Sequence, residues 1–290
     1  MGLGNKLNAK EFVILAEMEP PKGTNAARMV ESVLRVKGAV DAFVVPEMSN
    51  AVMRMSALGA AMILQHKGVE TIMQVCCRDR NRLALQADLL AASAAGITHL
   101  MAVQGEAPSY GDHHQARAVY DIELLELLHV VAKLQSGKDM AGIELDGAPI
   151  FTVGAMVNAG LKGQPLEREL ADMKLKIDAG ANFFIIPPVF EVEAVQPFMS
   201  QVSGLNVRVI PTVLLLKSMG MARYVQRHLP HVHIPDSVIQ RITKAPDKAR
   251  ECIHIAAETV LTLKSAGFSG VMLSTIGWEH RLPEIIAAMA

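Results

Sequence analysis

Eight short apolar runs recur along the chain: "FVILAEM", "DAFVVPE", "TIMQVCC", "THLMAVQG", "IFTVGAMV", "NFFIIPPV", "RVIPTVLLL" and "GVMLSTIG". They are nearly continuous in hydrophobicity and do not alternate, which is how strands read when both faces are covered, as in a parallel sheet wrapped by helices. Between them lie stretches with helical periodicity, such as "NRLALQADLLAASAAG", "LERELADMKLKIDAG" and "KARECIHIAAETVLTLKSAG". Each of these ends at a glycine suited to a left-handed C-cap. Strand and helix alternate eight times, at roughly 36 residues per repeat, which matches a closed (β/α)8 TIM barrel better than an open sheet of five or six strands. The whole chain, 1–290, is expected to form this single α/β domain. The long stretch "YVQRHLPHVHIPDSVIQRITKAPDK" predicts extra helices between strands 7 and 8.

Composition narrows the class. Apolar residues make up 51% and charged residues 20% of the chain, a balance suited to a large core and unlike that of a disordered chain. The formal net charge is −1, so there is no excess basic field with which to displace counterions from nucleic acid. No apolar stretch approaches the roughly 18 residues of a membrane span, and the first residues lack the apolar run of a secretory signal. A cytoplasmic location without membrane attachment is expected. Cys76, Cys77 and Cys252 have neither zinc nor redox spacing and read as reduced core thiols.

A barrel also predicts where the chemistry lies, because the loops after the strands converge on one mouth. The polar and special residues at those strand ends are Glu17, Glu19, Glu47, Gln74, Arg78, Asp79, Arg80, Gln104, Glu106, Asn158, Pro187, Pro188, Lys217, Ser218, Trp278 and Glu279. Glu17 and Glu19 are two residues apart and so share one side of the pleat. A carboxyl in an apolar mouth has a raised pKa and suits a general acid. The alternative is that either one caps its strand or pairs with an arginine. In "CCRDRNRLALQ" three arginines crowd a helix start, where cations and free N–H groups both favour an anion such as a cofactor phosphate. The alternative there is a solvated loop with Asp79 capping the helix.

Other features carry less. The histidines of "GDHHQ" and "HLPHVH" do not match a zinc-protease or zinc-finger spacing, so no metal site is expected. No G-x-G-x-x-G follows a strand, which leaves a Rossmann nicotinamide site unsupported. The 17 methionines read as core filler.

Taken in order, the segments "EMEPPKG", "AVMRMSALGAA", "QVCCRDRNRLALQADLLAA", "AVQGEAP", "HHQARAVYD", "KIDAGANFFI", "LKSMGMARYV" and "GWEHRLPEI" resemble the methylenetetrahydrofolate reductases, above all the short form of acetogens and other anaerobes. The resemblance covers nearly the whole chain. It implies a flavin-containing barrel, with FAD or alternatively FMN, that passes a hydride to the methylene carbon of 5,10-methylenetetrahydrofolate or a related pterin carrier. By match of motifs it makes Glu17 the acid that protonates a folate nitrogen, and Glu106 the acidic residue that stabilises the cationic iminium, although the family usually carries Asp there. It lines the flavin site with Gln74, Gln104, Gly105, Tyr120, Asp121, Gly154, Met156, Glu169, Asp172 and Lys176, with Arg117 near in sequence. It places Glu47, Pro187, Lys217 and Ser218 toward substrate.

Some positions depart from the family pattern. Gln74 stands where many members carry His, and Gln104 where some carry Arg. Pro187 stands where a glutamine would hydrogen-bond pterin and nicotinamide, and proline can do neither. Near the second strand Glu47, Met48 and Ser49 replace Asp-Asn-Gln. The electron donor is expected to be NAD(P)H or a partner electron-transfer or zinc-containing subunit, the lost nicotinamide contact being consistent with the partner, and an oligomer is expected. Two alternatives stand beside a reductase: a non-catalytic or flavin-binding subunit of a larger complex, and a folate one-carbon transferase that uses no flavin.

Overall fold

The computed structural model describes residues 2–229 and 231–290, and in it the eight apolar runs become eight parallel strands. In chain order the elements are α1 (Leu3–Asn8), β1 (Val13–Glu17), α2 (Ala27–Arg35), β2 (Ala42–Val45), α3 (Ala57–His66), β3 (Thr71–Cys76), α4 (Arg82–Ala94), β4 (His99–Val103) and α5 (Leu124–Gln135). There follow β5 (Thr152–Met156), α6 (Gln164–Asp178), β6 (Phe183–Pro188), α7 (Gln196–Val202) and β7 (Arg208–Leu214). The chain then runs through α8 (Met219–His228), α9 (Asp236–Lys244), α10 (Lys248–Ser265), β8 (Gly270–Ser274) and α11 (Leu282–Ala288). Each strand pairs with its sequence neighbour, and β8 closes on β1, giving a (β/α)8 TIM barrel. The expected extra helical segment is α8 with α9, ahead of α10.

The three helical stretches read from periodicity are α4, α6 and α10, and Gly96, Gly180 and Gly267 beyond them all have positive φ. Asn81, not Asp79, caps α4, accepting from the Ala84 N–H at 3.0 Å.

Two apolar layers form. One lies between the strands and the helices; the other fills the barrel, with Val13, Leu15, Ala42, Val44, Ile72, Met101, Phe183, Ile185 and Ile210. Inward residues follow the period of two along each strand. The next inward position after Leu15 is Glu17, after Ile72 it is Gln74, and after Ile185 it is Pro187. Gly154 also faces inward, where a β-carbon would lie 2.3 Å from the Phe183 ring, so the missing side chain is what lets Phe183 cross the barrel.

The opposite end is closed by α1. Leu3 and Leu7 join the interior cluster from below, and the Leu3 N–H, Lys6 and the Leu7 carbonyl are bonded to Glu70, Asp41 and Arg208 respectively. At β6 the register slips between Ile186 and Pro188, so Pro187 sits in a bulge. A proline has no N–H to give to the ladder, and a bulge is where that costs least. The Thr212 hydroxyl donates to the Ile186 carbonyl at 2.7 Å and secures the irregular step.

All three cysteines are buried and free. Burial pushes the Cys76 and Cys252 thiols up to about 11 and Cys77 up to about 12, so they are neutral packing groups. Among the described residues no helix is long and apolar enough to cross a membrane.

Candidate active site

At the C-terminal ends of the strands a cavity of about 690 Å³ opens. Its floor is apolar, built from Val44, Met101, Ile185 and Met272, and its wall carries Glu17, Glu19, Glu47, Gln74, Gln104, Glu106, Asn158, Glu169, Lys176 and Ser274. This is an apolar basin with a few polar groups converging on it, the usual form of a small-molecule site.

Glu17 ends β1, and Ser274, at the end of the neighbouring β8, donates its hydroxyl to Glu17 Oε2 at 2.5 Å. Burial pushes the Glu17 carboxyl above the ordinary range; the Ser274 bond opposes this, and the nearby Glu19 and Glu279 add to it. Glu19 is also raised by burial, but it is paired to Arg54 at 2.8 Å. Of the two carboxylates in "AEMEPP", Glu17 has no cationic partner among the described residues.

Glu47 is buried and structural in its contacts. Its Oε2 accepts from the Ala57 N–H at 2.8 Å, at the start of α3, and Oε1 lies 3.2 Å from Arg80. A carboxylate at a helix N-terminus is favoured by the helix dipole. Burial still raises its pKa, with Arg80 and the Ala57 bond acting against the rise.

The arginine-rich loop departs from the expectation of an anion site, because each of its arginines already has carboxylate partners. Arg80 is shared between Glu47 and Asp88, and Arg82 between Asp121 and Glu126. Arg78 is 1% exposed and pairs with Asp79 through two bonds of 2.8 Å. Its remaining N–H groups reach the carbonyls of Met48 at 3.3 Å and Glu106 at 3.4 Å. The planar guanidinium therefore ties together the loops after β2, β3 and β4. Sequence spacing placed the arginines correctly at the mouth but could not reveal that acids from four other segments meet them.

Of the residues that the resemblance implied for a flavin, Gln74, Gln104, Gly105, Met156, Glu169 and Lys176 line the cavity. The Gln74 and Gln104 carbonyl oxygens accept from the Glu47 and Leu124 N–H groups, at 3.1 and 3.0 Å. Their NH2 ends have no protein partner among the described residues. Lys176 is buried, donating to the Met156 carbonyl at 3.0 Å and paired to Asp172 at 2.5 Å. Glu169 accepts from the Asn158 N–H at 2.8 Å. Tyr120 lies behind the wall with its hydroxyl on the Gly105 carbonyl at 3.0 Å, Asp121 is held by Arg82, and Gly154 is a layer deeper.

Of the substrate-side residues, Glu47 and Pro187 line the cavity while Lys217 and Ser218 do not. Lys217 donates to the Ile276 carbonyl and lies 5.5 Å from the Trp278 ring centroid. Ser218 caps α8 through the Met221 N–H. Arg117 is exposed. Glu106 is exposed at the rim, 3.7 Å from Arg78.

Several participants went unread. Ser274 is one, since a serine at a strand end carries no motif. The backbone of the loop after β2 is another: Met48, Asn50 and Ala51 all have positive φ, as do Tyr120 and Ile276 elsewhere around the mouth. Such conformations cost non-glycine residues and concentrate at binding sites. The backbone at Ala51 also packs against Gly111, where a β-carbon would lie 1.7 Å from the Ala51 carbonyl oxygen. Asp112 then clasps this loop by accepting from the Met53 N–H at 3.0 Å and from Lys22. Among the described residues, no group of three or more His, Cys, Asp or Glu gathers to hold a metal. His113 is bonded to Asp112 and His233 lies beside Glu191.

With this geometry in place, comparison with known proteins is decisive for the family: the methylenetetrahydrofolate reductase family matches residues 3–290. The chain belongs to the methylenetetrahydrofolate reductase family. Its similarity to individual reductases is low. It is 23% identical over 210 residues to methylenetetrahydrofolate reductase 2 of Schizosaccharomyces pombe, covering 70% of this chain and 32% of that protein. It is 25% identical over 154 residues to 5,10-methylenetetrahydrofolate reductase of Pectobacterium carotovorum, covering 52% of this chain and 46% of that one. The matched region thus spans from about a third to just under half of these relatives. Among solved structures, a Clostridium thermocellum protein described as binding two copies of 5-methyl-5,6,7,8-tetrahydrofolic acid superimposes with a TM-score of 0.66 at 16% identity, covering 99% of this chain and 97% of that one. EDTA monooxygenase from Chelativorans sp. BNC1 superimposes with a TM-score of 0.56 at 10% identity, covering 96% and 93%. At these identities both speak to the fold of this family member.

Proposed function

We propose that the chain reduces 5,10-methylenetetrahydrofolate, or a closely related pterin carrier, to the 5-methyl form with a bound flavin. The observation that carries this reading is Glu17: an inward carboxyl at the mouth, raised by burial, bonded through one oxygen to Ser274 and without a cationic partner among the described residues. A carboxyl in that state holds its proton more tightly than an exposed one and can give it to a folate nitrogen, opening the five-membered ring. Glu106, at the rim, then carries the negative charge that favours the cation so produced.

The donor set of the β3–β6 wall suits a flavin ring system. The free NH2 ends of Gln74 and Gln104 would hold a group rich in carbonyl and ring-nitrogen acceptors, with Met156, Gly105, Glu169 and the buried Lys176 ammonium beside them on the same cavity wall. Tyr120, Asp121 and Asp172 support that wall from behind, and Gly154 lies a layer beneath it. When bound, the flavin supplies the hydride for the methylene carbon, as cofactors generally supply the difficult step. The apolar floor of Met101, Ile185 and Met272 would exclude water from below a bound ring system. FAD is favoured over FMN by the family resemblance alone. Pro187, lacking a donor, offers nothing to a nicotinamide, so electrons arrive from NAD(P)H held elsewhere or from a partner subunit.

A second reading is a folate-binding subunit or one-carbon transferase without flavin. It is favoured by the internal pairing of all three loop arginines, which leaves no free arginine there for a cofactor phosphate. The absorption spectrum of the purified protein between about 350 and 500 nm separates the two, followed by anaerobic reduction and addition of methylenetetrahydrofolate. Flavin bands that bleach and return on adding the folate support reduction. A colourless protein that takes up neither FAD nor FMN, yet binds methyltetrahydrofolate, selects the second reading.

A further inference from the structure

Glu17 is fixed by a single side-chain bond, and the chemistry of that bond decides which of its oxygens can carry a proton. Ala16 pairs with Leu273 in the β1–β8 ladder, so the next residues, Glu17 and Ser274, stand side by side, and both line the cavity. The Ser274 hydroxyl is buried and donates to Oε2 at 2.5 Å. Oε1 has no protein partner among the described residues. A protonated carboxyl has one O–H and one carbonyl-type acceptor oxygen. While Ser274 donates to Oε2, that oxygen is the acceptor, and the proton resides on Oε1.

We propose that Ser274 is the positioning residue for the acid, orienting the Glu17 carboxyl so that its proton is presented from Oε1 into the cavity. The inference rests on the reading of Glu17 as the general acid. Among the described residues no other group facing Glu17 can take this part. Glu19, on the same strand end, and Glu279, after β8, act on it only as like charges. Arg54 is bonded to Glu19 and Arg80 lies beside Glu47, while Lys217 donates to the Ile276 carbonyl. Ser274 also opposes the effect of burial, so its hydroxyl both aims the proton and keeps the acid from becoming too weak to release it.

The test compares Ser274→Ala, Ser274→Thr and Glu17→Gln in the full chain with its cofactor bound. Ser274→Ala is expected to lower kcat roughly 10- to 30-fold with little change in KM, the size expected for misaligning one acid. It should also move the Glu17 titration upward, read by carbon-13 NMR of glutamate-labelled protein with Glu17→Gln assigning the signal. Ser274→Thr, which keeps a hydroxyl, should restore both. An inactive Glu17→Gln beside a Ser274→Ala variant with unchanged kcat and titration overturns the positioning role alone. A loss in Ser274→Ala that threonine does not restore also overturns it, since that marks packing. Full turnover by Glu17→Gln overturns the reading of the acid and this inference with it.

Discussion

The two ends of the barrel are built from the same eight strands and treat polar groups in opposite ways. At the closed end, α1 inserts Leu3 and Leu7, and the charged groups around it are paired: Lys6 with Asp41, Glu70 with the Leu3 N–H, Arg208 with the Leu7 carbonyl. At the open end the buried Glu17 carboxyl has no cationic partner among the described residues, and five non-glycine residues have positive φ, against Lys10 alone at the closed end. A barrel can afford such destabilising groups at its mouth because the other end and the interior supply the stability. Changes at the mouth should therefore alter turnover, and changes at the plug should alter stability alone.

The largest expected effect is that of Glu17→Gln. It should lower turnover by about 10²- to 10⁴-fold, the usual worth of a positioned acid, while leaving flavin uptake intact. Stability should move the other way. The Glu17 pKa is raised in the fold, so the folded state binds its proton more tightly than the unfolded chain, and wild-type stability declines as pH rises from the unfolded value through the folded one. The glutamine variant lacks that decline, so its Tm should exceed that of the wild type at neutral and alkaline pH and converge on it in acid. A variant as active as the wild type, or less stable at neutral pH, breaks the contrast between the two ends.

Next is Leu7→Ala at the plug. Leu7 is 4% exposed, and its removal should cost about 2–4 kcal/mol in urea unfolding while kcat and KM of the folded fraction stay unchanged. A selective loss of turnover would show that the plug shapes the mouth through the barrel interior.

The sequence and the structure agree best where physics is repetitive. All eight strands and helices α4, α6 and α10 were readable because burial on both faces and a 3.6-residue period leave a long signal. Glu17 was readable as a mouth residue because a strand's period of two puts it above Leu15. The arginine loop was misread because an ion pair is a property of two segments: Arg80 with Glu47 and Arg82 with Asp121 join residues more than thirty apart. Ser274 was missed for the same reason, since its meaning depends on β8 closing against β1, 257 residues away. The strained loop at Met48, Asn50 and Ala51 was also invisible, because only Asn50 is of a type that takes a left-handed backbone readily, while Met48 and Ala51 carry no such signal.

A third effect sharpens the comparison from the closed end. Burial lowers His99 from 6.5 to about 4, so it is neutral in the fold and its contribution is fully present above the unfolded value. That contribution is lost as pH falls from 6.5 through 4. The difference of 2.5 corresponds to roughly 3 kcal/mol at most, lost below pH 4. Glu70, 3.5 Å from His99, is raised by burial and acts with the opposite sign. The His99→Gln variant isolates the histidine: its unfolding free energy should fall less steeply than that of the wild type between pH 6.5 and 4. Parallel curves would show that His99 is not kept neutral by the plug.

The smallest effect returns to the mouth. Ile276 follows β8, is 53% exposed and has φ of 44°, a conformation that a β-branched residue adopts only at a cost of order 1–3 kcal/mol. Little side-chain packing would be lost on removing it, and glycine occupies that backbone region freely. Ile276→Gly is therefore expected to stabilise the chain by about 1 kcal/mol after the added freedom of the unfolded state is deducted, a rise of roughly 2 °C in Tm. Lys217 donates to the Ile276 carbonyl, so the loop stays anchored and the site keeps its shape if strain is incidental to function. If the gain in Tm comes with weaker folate binding, the strained backbone is part of how the mouth holds its substrate. No gain at all would mean that the neighbouring contacts, and not the side chain's own preference, set the conformation at this end of the barrel.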